Sequence, residues 1–415
     1  MTDLILAEKI SEFVHEKAYE MERGAGSTVH SGAVWNELRN LGTRLWLDTG
    51  DIEQAAHLWN SNFSGLTTNN TLLNREIQKG GYDQVIVDAA RLIKEVAPGF
   101  DLSRIVFEIA FILNALHGLR LVKHFNCHVS VELHTGLACN IGKSFIYGRR
   151  LNAICPDRFF VKVPLTTYGL IAAGRLQRAG IPVNLTLGFS ARQNYLAAAV
   201  TNPSFVNVFM GRLNAFVADN KLGSGVNVGE KATLATQRNI LELRKSGISE
   251  SLLIGASMRS GGQIFELAGV DVMTLPVKVA AEFEKLSEKI EKHIENNPDI
   301  DVSENFMKTL WNVPEGFKAA VKTLAMENFD MLTPELLVER LAEAGFADLF
   351  PEWLPDEIST ASVDGKIPDF NSWKKKLKNR TIGLDALMNL SALESFKSDQ
   401  KALDNRIEMV VREYL

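Results

Sequence analysis

Between Arg44 and Pro276 the chain repeats one unit eight times: a short run rich in apolar residues, then a stretch able to form a helix. The runs are Leu45–Asp48, Gly65–Asn69, His128–His134, Phe159–Pro164, Val183–Leu187, Phe205–Met210, Leu252–Arg259 and Val270–Leu275. Parallel strands need a long crossover, usually a helix, so regular strand–helix alternation predicts a parallel sheet. Eight consecutive units predict an α/β fold of the closed (β/α)8, or TIM, barrel type. An open doubly wound sheet is the alternative. Against it, no G-x-G-x-x-G follows the first run, and the chain has no P-loop.

The flanks read differently. Leu6, Ile10, Phe13 and Val14 recur at helical spacing within residues 3–22, before the break Gly24-Ala25-Gly26. After Pro276 the pattern is helical only, with a helix start at Thr333-Pro334 and a stop at Gly345. Residues 351–371, with Pro351, Pro355 and Pro368, read as an irregular connection. Apolar Phe396, Leu403, Ile407, Val410 and Tyr414 predict one long helix from about Leu384, covering the barrel. The division is therefore an N-terminal helical segment (1–43), a barrel (44–295) and a helical C-terminal extension (296–415).

The net charge of −5 gives no reason to expect nucleic acid or an acidic membrane surface as partner. Lys374-Lys375-Lys376, with Lys378 and Arg380, reads as a solvated helix face. Three cysteines (Cys127, Cys139, Cys155) cannot form an all-paired disulfide framework and fit a reducing compartment. The charged Met-Thr-Asp start does not read as a signal peptide. No stretch approaches the roughly 18 uninterrupted apolar residues of a membrane span. Together these lead us to expect a cytoplasmic protein.

Period-two alternation sorts the side chains of each strand onto two faces. Val129, Val131 and Leu133 oppose His128, Ser130, Glu132 and His134; Phe159, Val161 and Val163 oppose Lys162; Val183, Leu185 and Leu187 oppose Asn184 and Thr186. Asp48 lies opposite Leu45 and Leu47, Thr67 groups with Asn69, and Ser257 with Arg259. In a barrel the apolar faces meet the outer helices, so the polar faces point inward, near the strand C-termini. Lys162 is the most telling of these residues. Burying an unpaired ammonium costs several kcal/mol or forces deprotonation, and a neutral amine is what imine-forming catalysis needs.

The stretches Leu47-Asp48-Thr49-Gly50-Asp51, Thr67-Thr68-Asn69, Val129-Ser130-Val131-Glu132, Val161-Lys162-Val163, Asn184-Leu185-Thr186-Leu187, Met210-Gly211-Arg212 and Gly255-Ala256-Ser257-Met258-Arg259 resemble the transaldolase family, in family order. The resemblance implies a metal-free, cofactor-free aldol mechanism. A dihydroxyacetone unit would pass from sedoheptulose 7-phosphate or fructose 6-phosphate to an aldose phosphate, as in the pentose phosphate pathway. It makes Lys162 the Schiff-base nucleophile and Asp48 the acid/base at the donor's C4 hydroxyl. Glu132 would act through a water held by Thr186. Asn69 and Asn184 would hold the dihydroxyacetone hydroxyls, Thr67 would support Asp48, and Arg212, Ser257 and Arg259 would bind the phosphate.

The chain departs from the family in two places. The proline usual after Thr-Thr-Asn is Asn70, and the usual Ser-Pro-Phe is Asn207-Val208-Phe209, which places Asn207 and Phe209 at the donor end of the pocket. The alternative activity is fructose-6-phosphate aldolase-like cleavage. A metal-dependent aldolase drawing on His124, Cys127, His128, Glu132, His134 and Cys139 is opposed by length, because His128 to His134 spans ~20 Å of extended chain. A sugar-phosphate-binding barrel without activity would lack the lysine, aspartate or glutamate, and none is missing. The stretch Leu222-Gly223-Ser224-Gly225-Val226 reads as a flexible βα connection. The sequence leaves both a monomer and a homo-oligomer open.

Overall fold

A computed structural model of the chain describes residues 2–21, 32–286 and 289–414; the expected glycine break at 24–26 lies outside them. Eight parallel strands close into a barrel in chain order. They are β1 (Arg44–Asp48), β2 (Phe63–Thr67), β3 (His128–Glu132), β4 (Phe159–Pro164), β5 (Val183–Thr186), β6 (Phe205–Phe209), β7 (Leu252–Ala256) and β8 (Val272–Pro276). Each falls on one of the eight expected runs.

Outward residues such as Leu47, Val131, Val161, Leu185 and Val208 are fully buried beneath the surrounding helices. One of these helices, Leu102–Phe125, is the one described helix long and apolar enough to cross a membrane, and 83% of its most apolar window is buried inside the fold. Its all-round apolar character follows from its place in the core.

The inward face is not polar throughout. Below the polar layer the interior is plugged by Trp46, Phe160 and Phe205, whose ring centroids lie 4.8–5.6 Å apart. Gly65 makes room for this plug, because a Cβ there would stand 2.7 Å from the Trp46 ring. One pair is stacked and two meet edge to face, the arrangements aromatic rings prefer. The polar residues lie above, toward the strand C-termini, and the chamber opens at that end.

The N-terminal helix Thr2–Glu20 buries Leu6, Ile10, Phe13 and Val14 as its spacing predicts. The helix Pro334–Glu343 starts at Thr333, whose side chain accepts from Leu336 N, and Gly345 beyond its end takes a left-handed φ of 86°. The expected irregular connection at 351–371 contains a helix, Pro355–Asp364. Pro355 stands at its first turn, where the missing N–H is not needed, and Glu357 reaches back to accept from Leu354 N. The prolines there start a helix as much as break one. The glycine-rich stretch 222–226 is an αα connection between Met210–Asp219 and Val228–Lys245, not a βα loop, and Ser224 N donates to Asp301 at 2.7 Å.

The last helix, Leu384–Tyr414, crosses the open end of the barrel. Asn389 Nδ2 donates to the carbonyls of Leu165 and Leu187, just beyond β4 and β5. Thr71, beyond β2, donates to Asp399; His134, beyond β3, meets Asp404; and Arg406 pairs with Asp83.

Candidate active site

Strand register assembles the centre. Lys162 pairs laterally with Glu132 on one side and Asn184 on the other; Asp48 pairs with Thr67, and Thr67 with Ser130. Each faces the barrel interior because it lies an even number of positions from an inward neighbour on its strand, as Asp48 does from Trp46 and Lys162 from Phe160.

Lys162 is 4% exposed, and its Nζ donates to the Thr68 carbonyl at 3.2 Å. Asp48 is half-buried and accepts from Thr67 Oγ1 at 2.7 Å. Since that hydroxyl proton is committed, the 2.6 Å contact between Thr67 and Thr274 has Thr274 donating. Burial pushes the Asp48 carboxyl above its ordinary range, and nearby Lys162 and the Thr67 bond oppose that rise. Glu132 is buried beside Lys162; burial raises its carboxyl too, opposed by Lys162 and by a bond from Asn70 N. Thr186 Oγ1 is buried with no hydrogen-bond partner.

A cavity of about 300 Å³ opens over this layer. Asp48, Thr67, Asn69, Lys162, Asn184, Thr186, Asn207, Phe209, Arg212 and Ser257 line it, so ten of the twelve expected site residues reach one space. Glu132 lies behind it, on a narrow crevice shared with His134 and Tyr147. Arg259 is exposed and outside the lining, but it lies close enough to Arg212 to disfavour that group's charge.

Several side chains are held by protein partners. Asn69 caps the helix Asn70–Gln78 through its carbonyl oxygen, which accepts from Leu72 N at 2.8 Å. Asn184 donates to Ser130 Oγ and accepts from Asn207 Nδ2 at 3.1 Å. Asn207 thus ties the two cavity amides to Ser130 in one chain across β3, β5 and β6. Gly211 is required where it stands: a Cβ there would sit 2.0 Å from the Ser257 carbonyl and 3.0 Å from the Arg259 side chain. This contact brings the ends of β6 and β7 together.

Arg212 is 7% exposed and has no ion pair among the described residues, and its Nη1 has no hydrogen-bond partner. Burial first, and Arg259 second, lower its pKa to about 10. An unpaired buried guanidinium facing a cavity is a site for an anion.

The cavity also holds residues that the sequence reading did not assign. Phe396, from the last helix, lies 5.9 Å from Lys162 Nζ and 5.6 Å from Arg212 Cζ, ring centre to cation. Lys366, Arg75, Thr71 and Thr274 complete much of the rim and wall. Phe396 was legible only as one apolar position in a helical stripe; nothing in that stripe says which member enters the cavity.

The expected alternation fails at His134. The strand ends at Glu132, and His134 instead caps the short turn Thr135–Leu137, packs against the Phe107 ring and meets Asp404 of the last helix. His128 faces Phe160 in the lower layer, while His124 belongs to the helix Leu102–Phe125. The potential ligands of this stretch therefore diverge, and no group of three His, Cys, Asp or Glu side chains that could hold a metal ion occurs among the described residues.

A family model described as transaldolase/fructose-6-phosphate aldolase matches residues 45–327, most of the chain. The chain belongs to that family. It is similar to the transaldolase of Rhizobium leguminosarum bv. trifolii, 28% identical over 308 residues that cover 70% of this chain and 94% of the relative. It is also 28% identical to the transaldolase of Edwardsiella ictaluri over 269 residues, 63% of this chain and 83% of that one. The family assignment agrees with the closed eight-stranded barrel.

Proposed function

We propose that this member of the family transfers a dihydroxyacetone unit from a ketose phosphate to an aldose phosphate through an imine on Lys162. The observation that carries the reading is the convergence of a buried lysine, two carboxyls with raised pKa and an unpaired buried arginine on one barrel axis. Neutral Lys162 would add to the donor's C2 carbonyl, and loss of water would leave the iminium. Glu132, through a water at the unpartnered Thr186 hydroxyl, would supply and recover the protons of that step. Asp48 would take the C4 hydroxyl proton as the C3–C4 bond breaks, its electrons passing into the iminium to give an enamine. The aldose phosphate would leave, an acceptor aldehyde would re-form the bond by the reverse steps, and hydrolysis would free Lys162.

Phosphate at the far end would be met by Arg212, Arg259 and Ser257, while Asn69, Asn184 and Asn207 would hold the dihydroxyacetone hydroxyls. A pocket of about 300 Å³ suits one sugar phosphate rather than a macromolecule. Simple aldol cleavage is the second reading, favoured by the Asn207 amide at the donor end, where a small hydroxyl is usual.

Borohydride reduction in the presence of fructose 6-phosphate tests the reading. A dihydroxyacetone adduct at Lys162, lost in Lys162→Ala together with turnover, is the expected result. EDTA-sensitive activity without an adduct would refute it. Strict dependence on an aldehyde acceptor marks transfer; dihydroxyacetone released without one marks cleavage.

A further inference from the structure

Asn70 is fully buried, and each of its polar groups except the backbone carbonyl is engaged outside its own helix. Its backbone N–H donates to Glu132 Oε2 at 3.2 Å, its Nδ2 donates to the Leu133 carbonyl at 3.3 Å, and its Oδ1 accepts from Asn114 Nδ2 at 3.1 Å. Asn70 is also the first residue of the helix Asn70–Gln78, capped by Asn69. The first N–H groups of a helix have no partner within it, so this donor is available to a side chain, and the helix N-terminus favours a negative charge there. If only a helix start were required, proline would serve at this position; proline has no N–H to give.

We propose that Asn70 is a positioning residue for Glu132. Its backbone N–H holds one carboxylate oxygen and leaves the other for proton transfer at Lys162, while its carboxamide clamps the end of β3 against Asn114. This rests on the reading that Glu132 moves protons for the Lys162 imine.

Lys162 from β4, Asp48 from β1 and Asp399 from the last helix act on Glu132, and His134 and Tyr147 share its crevice. One cation faces two anions, so the Asn70 N–H shifts the balance toward the ionised form. Asn70→Pro deletes that donor. It suits the backbone, because Asn69 is extended (φ −159°, ψ 171°), as a residue before proline must be. Asn70→Ala deletes the carboxamide bonds and keeps the N–H.

The experiment compares pH profiles of kcat/KM for the two variants and the wild type, after borohydride labelling has established the imine in each. The acid limb should move up by about one pH unit in Asn70→Pro, the size expected for losing one hydrogen bond to a charged group. It should stay in place in Asn70→Ala, whatever that change does to turnover. Equal limbs in all three proteins, or equal displacement in both variants, would overturn the proposal. A labelling failure in the wild type would instead refute the imine reading and leave the Asn70–Glu132 bond to be tested by its amide. In 15N-labelled wild type the Asn70 amide signal should titrate with Glu132 and stop doing so in Glu132→Gln. A flat amide signal would overturn the proposal even if Asn70→Pro does not fold.

Discussion

Replacing Arg212 by methionine separates two effects that the proposed function assigns to a buried unpaired cation: it disfavours the empty fold and it would favour a bound phosphate. The guanidinium is 7% exposed, and burial with Arg259 nearby lowers its pKa to about 10. A depression of that depth corresponds to roughly 3 kcal/mol against the charged form. The rings of Phe209 and Phe396, 5.9 and 5.6 Å from the cation, return ~0.5–1 kcal/mol each. Methionine fills a similar volume without the charge, so Arg212→Met should be more stable than the wild type by about 1–2 kcal/mol in phosphate-free buffer. The sign is fixed: a base whose folded pKa lies below its unfolded one destabilises the fold at every pH below the folded value, and neutral pH is well below it.

Adding a sugar phosphate should reverse the order. A ligand at a hundred times its dissociation constant stabilises the wild type by about 2.7 kcal/mol. Losing a charged hydrogen-bonding contact to the phosphate would weaken binding by roughly a hundredfold, so the variant should barely respond. Thermal midpoints measured with and without fructose 6-phosphate or inorganic phosphate therefore should cross. A variant that melts below the wild type in phosphate-free buffer would show that Arg212 holds the fold, and the reasoning would be wrong.

Two further changes test the acid/base and donor ends. Glu132→Gln should lower turnover about 10²–10⁴-fold. Because burial raises the Glu132 carboxyl, its stabilising contribution is present below the ordinary carboxylate range and is lost as pH rises through the folded pKa. The variant should therefore melt above the wild type at neutral pH, with the gap closing near about pH 4, as calorimetry across that range would show. Asn207→Ser removes the amide that donates to Asn184 and should shift donor preference toward fructose 6-phosphate; an unchanged ranking of donors and acceptors would make Asn207 a bystander.

The barrel was legible because β4 and its neighbours alternate cleanly: Val161 and Val163 face the helices, and Lys162 can only face the axis. The same rule fails on Leu45-Trp46-Leu47, where both faces are apolar and alternation cannot tell the plug residue Trp46 from its outward neighbours. It also fails at His134, past the end of its strand, where no pleat constrains the chain. Pro355 could not be told from a helix breaker without the backbone bond of Leu354 to Glu357. Phe396 and Lys366 reach the cavity through the docking of the extension, a tertiary event that no local period records.

The crossing helix has a consequence for biosynthesis. A chain emerges from the ribosome N-terminus first, and its domains fold in that order. All eight strands precede residue 277, yet the ring that packs against both Lys162 and Arg212 arrives only at residue 396. Until residue 396 is made, a nascent barrel would therefore lack the ring that packs against Lys162 and Arg212. The same dependence predicts that a chain shortened before Phe396 loses one wall of the cavity, so tags and stop codons near that helix should act on the site before they act on the strands.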